Sequence, residues 1–478
     1  MNKEAYNVLL YLDVLSYCIV VLKETFTSKM KLIQNTAQPF KAFYHKLALA
    51  SLKLLALGFA AWSFNVSAAQ QAHERIILDG SNWHYFSQLP QAGFLFVDEQ
   101  QKLLQSKNPQ QAYVPASTTK LITALLSLQH WGEDYRFKTE FYLQKSTAAS
   151  PVLVVKGYGD PFLVSEELQI LANNLSKQLA EQGVSQLSGI QIDSSFYQPG
   201  LVMPGTGESD NPYDAIPAAV AANFNSIFVE KSGKQFLSAE PQTPMTVSGL
   251  KIAKTIKQFH QTKNGLTQRI NLGNDAELNQ RYFAELLSKF IEGHGITVEN
   301  VVTFNETVQH LEQKQKQKQK IYTHLNSKTL ADVIRPMMKY STNFIANQLA
   351  LNLGVELFGM PANQDKVKKA YQKLLSEQFK WQNFYIEDGA GLSRDNHLAP
   401  NQLIDVLQAF KPWRKLLPEI EASVFAKSGT LIGVSTLAGY VEKDNQFLPF
   451  AMMINQRVPY RFRNRFAKEL ASAKLMRY

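Results

Sequence analysis

The stretch Pro115-Ala-Ser-Thr-Thr-Lys-Leu-Ile-Thr-Ala-Leu-Leu-Ser-Leu-Gln-His130 decides how the chain folds. Leu121, Leu125 and Leu128 recur at helical spacing and Ala116–Thr118 supply the start, so the pattern predicts a buried helix here. Just upstream, Ala92-Gly-Phe-Leu-Phe-Val-Asp98 and Lys102-Leu-Leu104 read as two strands around a polar turn. A hairpin therefore runs straight into a helix whose first turn carries Ser117. Lys120 follows three residues later, a spacing that puts both side chains on one helix face. A serine hydroxyl is a poor nucleophile without a base in reach. A lysine desolvated by neighbouring Leu and Ile side chains sheds its proton more readily and can serve as that base. The Ser117 N–H, at a helix start and without an intrahelical acceptor, is available to an oxyanion.

Downstream the character changes. Residues 140–275 hold short β-type runs at Val152–Val155, Gly189–Ile192, Ile227–Val229 and Thr246–Ile252, separated by Gly and Pro turns, with one amphipathic helix over Glu166–Gln182. Helical patterns return over Asp275–Gly293, 328–354 and 365–378. Strands follow at Val424–Ala426, Leu431–Val441 and Leu448–Asn455, before a last helix around Arg463–Met476. Helix-bounded antiparallel strands at both ends predict one α+β domain, an antiparallel sheet flanked by helices, interrupted by a β-rich insertion. The expected bounds are a leader over 1–68, the domain's first part over 69–139, the insertion over 140–275 and the second part over 276–478. Gln313-Lys-Gln-Lys-Gln-Lys-Gln-Lys320 reads as an exposed linker rather than a functional cationic patch. Arg461-Phe-Arg-Asn-Arg-Phe466 reads as a packed helix face with solvated arginines.

The leader carries an apolar run, Leu47–Phe64, preceded by Lys31, Lys41 and Lys46 and followed by Val66-Ser-Ala68. A basic stretch, a short apolar core and small residues before a cut make an export signal with cleavage after Ala68. Its core is too short to span a bilayer comfortably, so little or no membrane association is expected after cleavage. Met30 offers a second start, which would account for the unusual leader length; the competing account is an uncleaved membrane anchor. The bulky Tyr17 before Cys18 argues against lipidation. Of the net charge of +10, +4 lies in residues 1–68, and the remaining +6 does not argue for nucleic acid. Cys18 is the only cysteine, so an exported chain has neither disulfide nor thiol nucleophile. The histidines are scattered without a metal-binding spacing, and no metal or other cofactor is called for.

In penicilloyl-serine enzymes a Ser-x-x-Lys is accompanied by Ser-x-Asn and Lys-[Ser/Thr]-Gly. Two ordered sets are present: Ser341-Thr-Asn343 with Lys427-Ser-Gly429, and Ser209-Asp-Asn211 with Lys231-Ser-Gly233. Context favours the first. Ser341 and Asn343 stand at a tight junction between helical runs Leu330–Tyr340 and Phe344–Leu353. Lys427-Ser-Gly-Thr430 lies on a strand expected to continue through Leu431–Val441, where an edge can pair with an extended peptide and the Thr430 N–H can complete an oxyanion hole. The second set falls in the loop Pro204–Pro212 and in a hairpin turn. Ser-x-x-Lys itself recurs at Ser28–Lys31 and Ser248–Lys251, both in bland surroundings.

Over most of residues 92–456 the chain resembles the peptidase S13, or penicillin-binding-protein-4-type, D-alanyl-D-alanine carboxypeptidases and endopeptidases, low-molecular-mass class C penicillin-binding proteins. The resemblance rests on Val114-Pro-Ala-Ser-Thr-Thr-Lys120, Asp134-Tyr-Arg-Phe137, Gly159-Asp-Pro161 and Asn223-Phe-Asn225. It continues in Asp388-Gly-Ala-Gly-Leu-Ser-Arg394, Lys427-Ser-Gly-Thr-Leu431 and Leu437-Ala-Gly-Tyr440. It implies a penicillin-binding fold and acylation of Ser117 by the penultimate D-alanine of a peptidoglycan stem peptide, with Lys120 as base. Ser341 would pass a proton to the leaving amine and Asn343 would hold the substrate amide. Lys427 and Ser428 would receive the carboxylate, with Gly429 and Thr430 completing the strand, and Asp388–Arg394 would line the cleft. It also implies β-lactams as covalent inhibitors and a periplasmic location. Departures are Ser428 where Thr is common, a short stretch between Arg394 and Lys427, and the less usual Ser-Thr-Thr-Lys and Ser-Thr-Asn forms. A β-lactamase or esterase of the same fold, or a non-catalytic wall-binding module, are the alternatives. The sequence leaves open whether carboxypeptidase or endopeptidase action dominates.

Overall fold

A computed structural model describes residues 74–477 apart from 79, 146–149, 258, 260–264 and 302–317. The expected leader and most of the Gln-Lys repeat lie outside the described residues. After a short strand (Glu74–Ile77) and a helix (Ser81–Ser87), the elements that frame the site are, in chain order, β1 (Ala92–Val97), β2 (Leu103–Lys107) and α1 (Thr119–Trp131). Then come β3 (Lys138–Gln144), β4 (Val152–Gly157), α2 (Ser165–Glu181), β5 (Gly189–Asp193), β6 (Ser226–Ser232), β7 (Gln235–Ser238), β8 (Thr267–Asn271), α3 (Ala276–Glu292) and β9 (Lys318–Leu325). The chain continues through α4 (Leu330–Tyr340), α5 (Asn343–Phe358), α6 (Gln364–Phe379) and α7 (Pro400–Phe410). Then come β10 (Glu419–Glu421), β11 (Val424–Leu431), β12 (Val434–Lys443), β13 (Gln446–Ile454) and α8 (Phe462–Ser472), with a short strand, Lys474–Arg477, after it.

The fold is α+β, as expected. Its central sheet runs β10-β11-β12-β13-β1-β2, antiparallel throughout, so the N-terminal hairpin adds to the C-terminal meander. Alternation divides the side chains between two cores. Ala438, Tyr440, Ala451 and Met453 point to one face, which buries α1, α4, α5 and α7 through Leu121, Leu125, Met337, Leu349 and Leu403. Leu437, Val441, Phe450 and Met452 point to the other, covered by Phe462, Phe466 and Leu470 of α8. The helix predicted from Leu121, Leu125 and Leu128 is fully buried along those positions.

A second body of chain has its own core and three further sheets, one ordered β9-β3-β4-β5, one ordered β8-β6-β7, and a two-stranded pairing of Gln186–Leu187 with Thr297–Val298. Its extent corrects the boundary expected at residue 275. Phe283, Leu287 and Ile291 of α3 pack with Leu168 and Leu175 of α2, and β9 pairs with β3 from Lys318↔Gln144 to Leu325↔Lys138. The insertion therefore runs to Leu325, because α3 lays its apolar stripe on the insertion's own core. Lys318–Lys320, the end of the repeat, opens β9 rather than extending a linker.

Two local expectations also change. Thr246–Ile252 is not a strand: Val247–Thr255 is a helix, capped by the Thr246 hydroxyl accepting from the Gly249 N–H at 3.0 Å. The β-branched residues suggested a strand, but the small Ser248, Gly249 and Ala253 form a buried face that only a helix aligns. The long strand through Leu431–Val441 is instead the hairpin β11–β12, turning at Ile432 and Gly433. Gly433 has φ +73°, a backbone shape that glycine permits, and Ile432 stands 81 % exposed at the tip.

Candidate active site

Ser117 sits in a single 3₁₀ turn, Ala116–Thr118, that feeds α1. Two hydroxyls hold the turn at one carbonyl. The Thr436 hydroxyl of β12 donates to the Pro115 carbonyl at 2.8 Å, the Thr118 hydroxyl donates to the same oxygen at 2.6 Å, and Ala116 takes φ +46°. A left-handed alanine next to a reactive serine is strain that the surroundings must enforce.

Lys120 is wholly buried one turn on. Its Nζ lies 2.7 Å from Asn343 Oδ1, 2.7 Å from the Ala390 carbonyl and 3.1 Å from Ser117 Oγ. Burial pushes its ammonium well below the usual lysine range; the Lys427 charge adds to the push, and Asp388 opposes it. A neutral lysine amine has two N–H donors and one lone pair. Asn343 and Ala390 take the donors, and the lone pair is left facing the Ser117 hydroxyl.

Ser341 ends α4 in a left-handed conformation (φ 58°, ψ 38°), and Asn343 begins α5. The predicted tight junction is thus real, and it turns both side chains toward Lys120 and Lys427. The Asn343 amide nitrogen donates to the Tyr213 carbonyl at 3.0 Å. On β11, Lys427 is 1 % exposed and its Nζ donates to Ser341 Oγ at 2.9 Å and to the Ser428 carbonyl at 2.8 Å. Burial, and secondarily the Arg463 charge, bring its pKa down to about 7. Ser428, half-buried, stands opposite Leu437 in the ladder. Gly429 must be glycine: a Cβ there would lie 2.2 Å from Thr436 Oγ1 and 2.9 Å from the Ser117 nitrogen. That approach brings the backbone before Thr430 against the serine turn.

The structure thus brings Ser117, Lys120, Ser341, Asn343 and the Lys427–Thr430 strand together. It separates the competing motifs. The Ser209 hydroxyl is tied to Asp214 and Lys231 donates to the Phe259 carbonyl, within the insertion. Ser248, of the other Ser-x-x-Lys, hydrogen-bonds Glu285 through both its N–H (2.9 Å) and its hydroxyl (3.0 Å).

Sequence reading missed three parts. The first is the carbonyl of Ala390, which no side-chain pattern reveals. It is aimed by Asp388, whose buried carboxylate accepts from the backbone N–H groups of Ala390, Gly391, Leu392 and Ser393 at 2.6–3.1 Å and from the Asn396 amide at 2.6 Å. The paired glycines were the available signal, since a Cβ on Gly391 (φ +78°) would meet the Ala116 carbonyl at 1.9 Å. The second is the Tyr213 carbonyl. The third is Arg463, whose Nη1 donates to the Gly429 carbonyl at 2.8 Å and to Thr430 Oγ1 at 2.9 Å. Among the described residues no cluster of three His, Cys, Asp or Glu side chains could hold a metal ion.

Residues 90–420 match the model of the D-Ala-D-Ala carboxypeptidase 3 (S13) family. The match ends before Lys427, so the place of that motif rests on geometry. The chain is 25 % identical over 395 residues to the D-alanyl-D-alanine carboxypeptidase DacB of Haemophilus influenzae, covering 72 % of this chain and 80 % of that protein. It is 24 % identical over 416 residues to a D-alanyl-D-alanine carboxypeptidase of an Actinomadura species, covering 74 % and 75 %. Among solved structures it is similar in fold to penicillin binding protein 4 of Haemophilus influenzae, with TM-score 0.64, 20 % identity and coverage of 82 % of this chain and 99 % of that one.

Proposed function

The chain belongs to the D-Ala-D-Ala carboxypeptidase 3 (S13) family, and from that premise we propose that it is a serine D,D-peptidase of peptidoglycan working through an acyl-Ser117 intermediate. The observation that carries the mechanism is the environment of Lys120: a buried amine with acceptors for two N–H groups and its remaining position turned to Ser117 Oγ. In the first step the Ser117 oxygen attacks the penultimate D-alanine carbonyl while Lys120 takes the hydroxyl proton. The Ser117 and Thr430 N–H groups receive the oxyanion. As the C–N bond breaks, the Ser341 hydroxyl delivers its proton to the departing amine and takes one in return from the hydrogen-bonded Lys427 ammonium. Water then hydrolyses the ester, one of its protons returning to Lys427 through Ser341 while Lys120 gives its proton back to the Ser117 oxygen, which releases the shortened peptide and resets the site. Lys427 and Ser428 supply charge and a hydroxyl for the substrate carboxylate, and Asn343 orients the substrate amide.

The same steps open a D-alanyl–diaminopimelate crosslink, whose leaving group is a larger amine. A β-lactam enters by the same attack and remains on Ser117, as the β-lactam complex of the Haemophilus influenzae protein makes natural for this fold. The basic and apolar leader supports export to the periplasm with cleavage after Ala68. Determining the N-terminus of the secreted chain checks this, with Ala69 the expected first residue.

The chemistry is tested with protein lacking residues 1–68, a fluorescent penicillin and intact mass. A stable one-to-one adduct should form in wild type and vanish in Ser117→Ala. Ser341→Ala should acylate slowly, and Ser209→Ala should match wild type. A folded wild type that forms no adduct overturns the assignment.

A further inference from the structure

On α6 the buried side chains are Val367, Ala370, Tyr371 and Leu375, and of these Tyr371 alone carries a polar group. Its phenol is 1 % exposed, takes no part in the acylation steps, and lies 2.6 Å from Thr123 Oγ1. Burial raises its pKa, so the hydroxyl keeps its proton. Thr123 is wholly buried on α1, three residues after Lys120 and on the same face. Its hydroxyl also lies 2.7 Å from the Gly389 carbonyl. A carbonyl only accepts, so Thr123 donates to Gly389 and Tyr371 donates to Thr123. The relay therefore has one direction, from α6 through α1 to the loop that begins at Asp388.

The relay ends on the peptide that serves the base. The Gly389 N–H donates to Asn347 Oδ1 at 3.0 Å, the Ala390 N–H donates to Asp388 Oδ1 at 2.9 Å, and the Ala390 carbonyl accepts from Lys120 Nζ at 2.7 Å. A Cβ on Gly389 would lie 2.3 Å from the Ala346 carbonyl, so this peptide is pressed against α5. Asn347 and Asp388 hold its N–H groups, whereas Thr123 holds a carbonyl, and does so from the helix that also carries Lys120. The amine and the carbonyl it needs are thus both referenced to one turn of α1. A helical threonine has a competing acceptor in the carbonyl four residues back, here Thr119. The Tyr371 proton on Thr123 Oγ1 fixes that hydroxyl rotor and leaves its own proton aimed at Gly389.

We propose that Thr123, oriented by Tyr371, is a positioning residue for the base: it holds the Gly389–Ala390 peptide so that the Ala390 carbonyl takes one N–H of Lys120 and the Lys120 lone pair faces Ser117. The inference rests on the D,D-peptidase reading. Both residues are buried behind the base and act through it. The charged groups that bear on Lys120 are Lys427 of β11 and Asp388 of the loop, and a substitution at Thr123 changes neither. An ammonium gains more from the Ala390 carbonyl than a neutral amine does, because bonds from charged donors are the stronger ones. Loosening that carbonyl therefore disfavours the ammonium. Acylation needs the neutral amine, so its acid limb moves to lower pH, while its plateau drops because the lone pair is no longer held toward Ser117.

The test measures the rate of acylation by a fluorescent penicillin against pH for wild type, Thr123→Val, Thr123→Ser, Tyr371→Phe and Leu375→Ala. Thr123→Val keeps the side-chain shape and removes the hydroxyl. Its plateau should fall about 10-fold, the scale of one hydrogen bond, and its acid limb should move to lower pH. Thr123→Ser retains the hydroxyl and should recover most of both. Tyr371→Phe should move both in the same direction by a smaller amount, about two- to fivefold at the plateau. Leu375→Ala loosens the packing of α6 without touching the relay. It should lower the denaturant midpoint and leave the acid limb in place. An acid limb that stays at the wild-type pH in Thr123→Val overturns the proposal, because a merely structural threonine would lower the rate without moving it. Should Thr123→Val fail to fold, the limb of Tyr371→Phe decides in the same way. Wild type without label sinks the D,D-peptidase itself, whereas full label in every variant with unmoved limbs sinks the role of Thr123 alone.

Discussion

At the residue scale the two buried lysines set the pH behaviour. Lys427 gives up its proton at about pH 7 in the folded chain, against an ordinary 10.5. Between those values the unfolded chain binds the extra proton, so stability rises with pH, by about 1.4 kcal/mol per pH unit from this group at full effect. The contribution is lost as pH falls toward 7, and Lys120 acts in the same direction. Buried tyrosines such as Tyr197 and Tyr282 have pKa values raised from 10, so they stay protonated in this window. Denaturant midpoints should therefore climb from pH 7 to 9 in wild type and climb less in Lys427→Met; equal slopes would remove Lys427 from the account. Gly429 carries a second residue-scale prediction. The Cβ of Gly429→Ala would press on Thr436 Oγ1, which cannot swing away without releasing the Pro115 carbonyl, and on the Ser117 nitrogen. Penicillin acylation should slow by about 100-fold or more, the scale of a lost oxyanion donor, while the far-ultraviolet circular dichroism is unchanged.

At the element scale the loop Asp388–Arg394 shows what a sequence reveals and what it hides. The three motifs were legible because their chemistry is concentrated in side chains at fixed short spacing. Ser117 and Lys120 need one helix face, Ser341 and Asn343 one helix junction, and Lys427–Thr430 one strand. The partner of Lys120 in this loop is a backbone carbonyl, and backbone atoms leave no mark on residue identity. Arg463 was quoted with its neighbours and assigned to solvent because a helical arginine is usually solvated; only the packing of α8 over β11 turns it inward. The strand expected at Thr246–Ile252 failed for a related reason, its β-branched composition yielding to a small-residue face and a threonine cap. The loop itself is testable. Asp388→Asn replaces one acceptor oxygen with a donor facing N–H groups, at a cost of about 2 kcal/mol or more. The denaturant midpoint should fall and acylation should slow with it, because Ala390 no longer holds Lys120. A variant that loses stability but acylates at the wild-type rate would show that the carbonyl does not matter to the base.

At the scale of the whole molecule, the insertion is more than an appendage with its own core. Its chain returns to the catalytic cleft at residues 204–214. Gly205 abuts the backbone of Leu392 and Ser393 so closely that a Cβ would lie 2.4 Å away, and the Tyr213 carbonyl accepts a hydrogen bond from the Asn343 amide. The insertion boundary was misplaced at residue 275 because α3 has the same amphipathic pattern whichever core it covers; the pairing of β9 with β3 decides it. With the boundary at Leu325, the insertion leaves β3 and returns through β9 as neighbouring strands of one sheet, a closed unit that carries the 204–214 loop. Asp214 organises that loop, accepting from the Gly207 N–H at 2.9 Å and from the Ser209 hydroxyl. Asp214→Ala frees both donors and leaves the Tyr213 carbonyl less firmly placed, without touching Ser117, Lys120 or Lys427. If the insertion helps aim Asn343, this variant should still be labelled completely by penicillin, but more slowly, with peptide turnover reduced by about tenfold. The loss should appear in kcat as well as KM, since Asn343 holds the base and, in the proposed mechanism, also orients the substrate amide. Ser209→Ala removes the hydroxyl's bonds to Asp214 and Asn211 but keeps the Gly207 N–H on Asp214, and should change neither, so equal behaviour of the two variants would disconnect the loop from the site.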